Sequence, residues 1–91
     1  MSFKVKLLHA IKKNNRYLID NVFESIYYEY SKLIGYVISK YVTRKEDVEE
    51  LINDVFVSFY SAAIKIEIKN IKYYLLKSAK THWWIFSVKI K

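Results

Sequence analysis

Apolar residues return every three or four positions through most of this chain, the period of an α-helix with one buried side. Phe3, Leu7, Ile11 and Leu18, with lysines between them, predict a short amphipathic helix within residues 3–18 that ends near the run "KNNR". Asp20 is placed to cap a second helix, in which Phe23, Ile26, Tyr27, Tyr30, Leu33, Ile34, Val37, Ile38 and Tyr41 recur at helical spacing as far as Val42. Gly35 lies inside that run, and a glycine in a helix interior costs about 1 kcal/mol relative to alanine. A close helix crossing is the expected reason for it. "TRKE", Thr43 to Glu46, has the form of a capping box and predicts a third helix. On its wheel Val48, Leu51, Ile52, Val55, Phe56, Phe59 and Ala63 share a side. Glu46, Glu49, Glu50, Asn53 and Tyr60 oppose them, with Asp47 and Asp54 at the edge. "KIEIK" alternates like a strand but is too short and solitary to pair, and so is read as a loop. Asn70 is placed to cap a fourth helix, Ile71 to about Val88. The expected fold is all-α, a three- to four-helix bundle forming one domain over residues 1–91, with residues 1–22 as an N-terminal helix.

Composition narrows the function classes. One glycine and no proline argue against a turn-rich β fold. With no cysteine there is neither a disulfide scaffold nor a thiolate metal site, and His9 and His82 lie far apart, so no metal or cofactor is expected. No nucleophile–base pair or phosphate-binding loop is seen, and an enzyme is not expected. The basic start is too short in its apolar part for a secretory signal, and no apolar run approaches the roughly 20 residues needed to cross a bilayer. The expectation is a cytoplasmic protein. The abundance of Lys, Ile, Asn and Tyr also suits an AT-rich coding sequence, which accounts for part of the lysine and aromatic content.

Charge is unevenly placed along the +7 chain. Residues 1–22 carry +4, residues 23–43 are neutral, residues 44–60 carry −3 and residues 61–91 carry +6. Five of the nine carboxylates therefore fall on the third helix. They form a ladder suited to a basic partner and would repel bare nucleic acid; the plain alternative is a solubilising surface. The last helix has a different character. Ile71, Tyr74, Leu75, Ser78, Ala79, His82, Ile85 and Phe86 make its expected buried stripe, with His82 read as a hydrogen-bonded interior histidine. Tyr73, Lys77, Lys80, Trp84 and Ser87 face outward, flanked by Lys72, Leu76 and Trp83. Cations interleaved with rings suit a single strand, because lysines hold phosphates while rings stack on unpaired bases. The plain alternative is a solvated lysine face whose tryptophans bury into a neighbour or dimer interface. A membrane-surface binder using the basic aromatic C-terminus is a further rival.

The stretch "FESIYYEYSKLIGYVISKYVTRKEDVEELINDVFVSFY" resembles the first part of region two of extracytoplasmic-function sigma factors, the promoter-specificity subunits of bacterial RNA polymerase. The family's "DAEDLVQEVF" helix stands here as "DVEELINDVF", Asp47 to Phe56. Its "WLY.IARN.A.DYLR" helix stands as "YLLKSAKTHWWIFSVK", Tyr74 to Lys89. Lys80 occupies the motif's arginine position, Thr81 its asparagine and Ile85 its aspartate, while Lys89 and Lys91 stand for the trailing arginines. The resemblance spans Phe23 to about Lys89. It implies that the "DVEELINDVF" helix binds the clamp coiled coil of the polymerase β′ subunit, with Glu50, Asn53 and Asp54 at the motif positions that face it; Glu46 and Glu49, on the same acidic face, are expected to join them. It also implies that the loop Ser61 to Asn70 and the last helix capture a flipped base of the single-stranded minus-ten promoter element. Lys65, Lys69, Lys72, Tyr73, Lys77, Lys80, Thr81, Trp83 and Trp84 are the expected DNA contacts, and anti-sigma factors are a further partner class. The family's linker and C-terminal helix-turn-helix domain do not follow, which suggests an excised domain, a truncated product or a stand-alone region-two protein. The functional alternative is a decoy that docks on polymerase or another protein without reading a promoter.

Overall fold

The computed structural model describes residues 2–90, and among them four helices account for nearly all of the chain: α1 (Phe3–Lys13), α2 (Arg16–Ser39), α3 (Lys45–Lys65) and α4 (Ile71–Ile90). The expected all-α bundle is the fold. Helix α1 lies on α2, while α2, α3 and α4 pack on one another in pairs.

The turn between α1 and α2 is made by two asparagines. Asn14 adopts φ 52° and ψ 38°, a left-handed conformation that asparagine tolerates better than most side chains, and it closes α1. Asn15 then opens α2 by accepting the Leu18 N–H on its Oδ1 at 3.2 Å. The first bears out a helix end near "KNNR" and the second corrects the placing of Leu18 and Asp20. The first helix ends at Lys13, Leu18 belongs to α2, and Asp20 is not its cap but lies in the helix, 3.6 Å from Arg16 Nε. A local side-chain cap at Asn15 was available three residues before Leu18, and it won.

The start of α3 also departs from expectation. Arg44, in extended conformation, occupies the N-cap position without a side-chain cap bond, so the Thr43–Glu46 box does not form. Val42 is buried and fixes the chain just before the turn. The Arg44 Nε lies 3.8 Å from Glu46 and 3.9 Å from Asp47, and these first-turn carboxylates suit the positive end of the helix dipole.

Gly35 sits where α2 meets α3. A Cβ built there would come within 3.0 Å of Ile52 Cδ1, which bears out the close crossing. Ile26, Ile34, Ile38, Val55, Phe56, Phe59, Leu75 and Ala79 form the fully buried centre of the core. Each large apolar side chain of this kind is worth about 1.5–3 kcal/mol on burial. Tyr60, placed on the polar side by the wheel, instead packs against Phe23, their ring centroids 4.2 Å apart, and its hydroxyl donates to the Phe23 carbonyl at 3.5 Å. Burial, then the neighbouring Tyr27 and Glu24, push its phenol above the ordinary range.

Residues 66–70 form the loop read from "KIEIK". Ile68 is buried against the core, and Lys4 Nζ lies 3.5 Å from Glu67, so the loop is held from both sides. Asn70 Oδ1 accepts the Tyr73 N–H at 2.9 Å, which is the cap expected for α4.

Candidate nucleic-acid interface and docking face

The docking candidates occupy one exposed stripe of α3. Glu46, Glu49, Glu50, Asn53 and Asp54 are all exposed, one or two helical turns apart. Arg44 approaches Glu46, whereas Glu49, Glu50 and Asp54 make no ion pair among the described residues. Glu46 and Glu50, and Glu50 and Asp54, are like charges four residues apart, an arrangement that destabilises a helix by a few tenths of a kcal/mol per pair. A basic partner would relieve that repulsion.

The lysines of the other candidate surface are equally uncommitted. Lys65 at the end of α3, Lys69 in the loop and Lys72, Lys77 and Lys80 on α4 are exposed, and none makes an ion pair among the described residues. Tyr73 is 63% exposed and Trp84 is 60% exposed, so both rings face solvent as the wheel predicted. Trp83 does not. It is half-buried and stacked on Tyr41, with centroids 4.1 Å apart and planes 7° from parallel. The flanking position given by the wheel takes no account of the turn after α2, which supplies the opposing ring. Ile85, expected in the buried stripe, is 43% exposed, whereas Phe86 beside it packs against the core.

A groove of about 600 Å³ lies where the loop meets the first half of α4. It brings together four of the nine expected DNA contacts: Lys69, Tyr73, Lys77 and Thr81. Lys65, Lys72, Lys80, Trp83 and Trp84 lie outside its lining. Tyr73 and Trp84 are eleven residues apart, about 16 Å along a helix axis, and do not share one base-sized site. A strand lying along α4 would meet both.

The groove also holds groups that the sequence reading did not count among the DNA contacts. Ser58, Asn70, Ser78 and His82 line it, with Ile66, Ile68 and Tyr74 as apolar wall, and so does the Glu67 carboxylate, which Lys4 Nζ approaches at 3.5 Å. His82 is hydrogen-bonded, as expected of it: its Nδ1 lies 2.8 Å from the Ser78 carbonyl and its Nε2 lies 3.3 Å from Ser58 Oγ. The available signal was a polar cluster on otherwise apolar stripes. Ser78 and His82 are four residues apart on the inner face of α4, and Ser58 interrupts "VFVSFY" on α3. Among the described residues no three His, Asp or Glu side chains come together as a cation site, and no helix is long and apolar enough to cross a membrane. Lys91 and the Lys89 side chain, expected as the trailing cations, lie outside what the structure describes.

No family model, curated protein or solved structure matches this chain.

Proposed function

We propose that this chain is a transcription-initiation domain of the sigma region-two kind, which docks on core RNA polymerase through α3 and holds a single promoter strand on α4. The observation that carries the reading is the groove. Its two lysines, exposed tyrosine and apolar wall sit at the junction of loop and last helix, the place the resemblance assigns to base capture. Lysines contribute phosphate attraction, and stacking on an aromatic ring contributes about 1–3 kcal/mol per base. Extracting a base from a duplex costs a few kcal/mol, so the groove is suited to a strand already opened or being opened by polymerase. The carboxylates of α3 keep bare nucleic acid off the opposite function, docking to basic protein.

Binding to purified core polymerase tests the docking half. Wild-type protein is expected to bind, and Glu50→Lys/Asp54→Lys to lose binding while keeping its fold. If neither protein binds, or if charge reversal leaves the affinity unchanged, the α3 face is not a polymerase contact.

A second reading, a decoy that docks without promoter recognition, is favoured by one contact. The Tyr41 stack occupies a face of Trp83 and withdraws that ring from a passing strand. Addition to a reconstituted transcription reaction separates the two. Promoter-dependent initiation supports the first reading, and inhibition without initiation supports the decoy.

A further inference from the structure

Ser58 is the one residue of α3 in the lining of the loop–α4 groove. Its hydroxyl meets the His82 ring, as does that of Ser78, whose Oγ lies 3.3 Å from His82 Nδ1. Ser25, Thr81 and Ser87 donate back to the carbonyl four residues earlier in their own helices. Ser58 is turned across to α4 instead, toward His82 Nε2 at 3.3 Å.

The direction of that bond follows from the other ring nitrogen. A carbonyl oxygen only accepts, so the 2.8 Å contact to Ser78 puts a proton on His82 Nδ1. Neutral imidazole then has a lone pair at Nε2, and the Ser58 hydroxyl is its donor. With its one proton committed, Ser58 Oγ offers the groove lone pairs alone. Bonds in such a chain polarise one another, which strengthens the terminal acceptor.

We infer that the Ser58–His82 pair is the base-selecting element of this groove, favouring cytosine or adenine, which carry an amino group at the ring position where uracil and thymine carry the 4-carbonyl oxygen, over uracil or thymine. This rests on the reading of the groove as a single-strand site. An amino group donates directly to Ser58 Oγ. Uracil presents a carbonyl oxygen at the same ring position, which sets two acceptors against each other and leaves both without a donor. Its ring N–H reaches Ser58 Oγ only if the base shifts along its edge, out of the register in which cytosine presents its amino group.

Oligodeoxycytidine and oligodeoxyuridine of equal length make the comparison cleanly, since the two pyrimidines match in size and stacking area. Fluorescence anisotropy is expected to show the cytidine oligomer binding wild type about two- to tenfold more tightly, the worth of one net hydrogen bond. Ser58→Ala is expected to bring the ratio to about one, by weakening the cytidine oligomer and relieving the opposed acceptors that uridine meets, and Ser58→Thr, which keeps the hydroxyl, to preserve it. Lys77→Gln should weaken both oligomers alike. Thermal melts of each variant check the fold. Equal affinity of wild type for the two oligomers, or a ratio that survives Ser58→Ala, overturns the selection while leaving the site intact. Binding of neither oligomer overturns the single-strand reading and this inference with it.

Discussion

The salt dependence of strand binding is the property most directly set by the arrangement of lysines. Lys69, Lys72, Lys77 and Lys80 are exposed along the loop and α4 and make no ion pair among the described residues. Each phosphate they neutralise on a single strand releases condensed counterion, with a slope of about −0.7 in log K against log salt. Four contacts give a slope of about −2.8, so raising salt from 50 to 200 mM should weaken binding roughly 50-fold. Replacing Lys77 and Lys80 by glutamine removes two contacts, which brings the slope to about −1.4 and the loss over the same range to roughly sevenfold. Lys77 lines the groove and Lys80 does not, so each single variant should change the slope by about 0.7 whatever its effect on base capture. Anisotropy titrations of a labelled single-stranded oligomer at four salt concentrations measure the slope. An unchanged slope in Lys77→Gln/Lys80→Gln would refute the assignment of phosphate contacts to α4.

Two further predictions concern the scaffold. Gly35→Ala recovers about 1 kcal/mol of helix propensity, but its Cβ meets Ile52 Cδ1 at 3.0 Å, so little net gain is expected in wild type. In an Ile52→Val background, where that Cδ1 is gone, the same change should stabilise by about 1 kcal/mol, roughly 4–8 °C in Tm for a domain of this size; additive single and double mutants would contradict the close crossing. Tyr60 supplies a pH dependence. Its phenol pKa is raised in the fold, so the native state holds this proton more tightly than the unfolded chain does. That contribution is complete below the unfolded value near about 10 and is lost as pH rises through the folded value. Urea unfolding across the alkaline range should therefore show a steeper loss of stability in wild type than in Tyr60→Phe, and equal slopes would count against the buried phenol.

What the chain reveals before folding depends on how local the cause is. Helices α2, α3 and α4 follow from apolar spacing alone, and the Asn70 cap and the Gly35 crossing are each set by one residue type in one context. The starts of α2 and α3 were misplaced because adjacent residues competed for the same role. Asn15 displaced Asp20 as the cap, and the chain fixed by Val42 moved the first turn past Thr43. Positions at the rim of a wheel were ambiguous for another reason. Whether Tyr60 and Trp83 pack depends on another element, since Phe23 of α2 and Tyr41 of the turn after it receive them. The groove belongs to this last kind. Lys69, Tyr73, Lys77 and Thr81 were legible from a single helix and its loop, whereas Ser58 joins them only through the packing of α3 on α4.

The central claim is that two faces of one small bundle serve two partners. A crossed binding measurement with two double variants tests it most directly. Core polymerase and a labelled single-stranded oligomer are each titrated against wild type, Glu50→Lys/Asp54→Lys and Lys77→Gln/Lys80→Gln. The expected result is that the α3 variant loses polymerase while keeping the oligomer, and the α4 variant loses the oligomer while keeping polymerase. Joint loss of both ligands by either folded variant, or binding of neither ligand by wild type, would contradict the account.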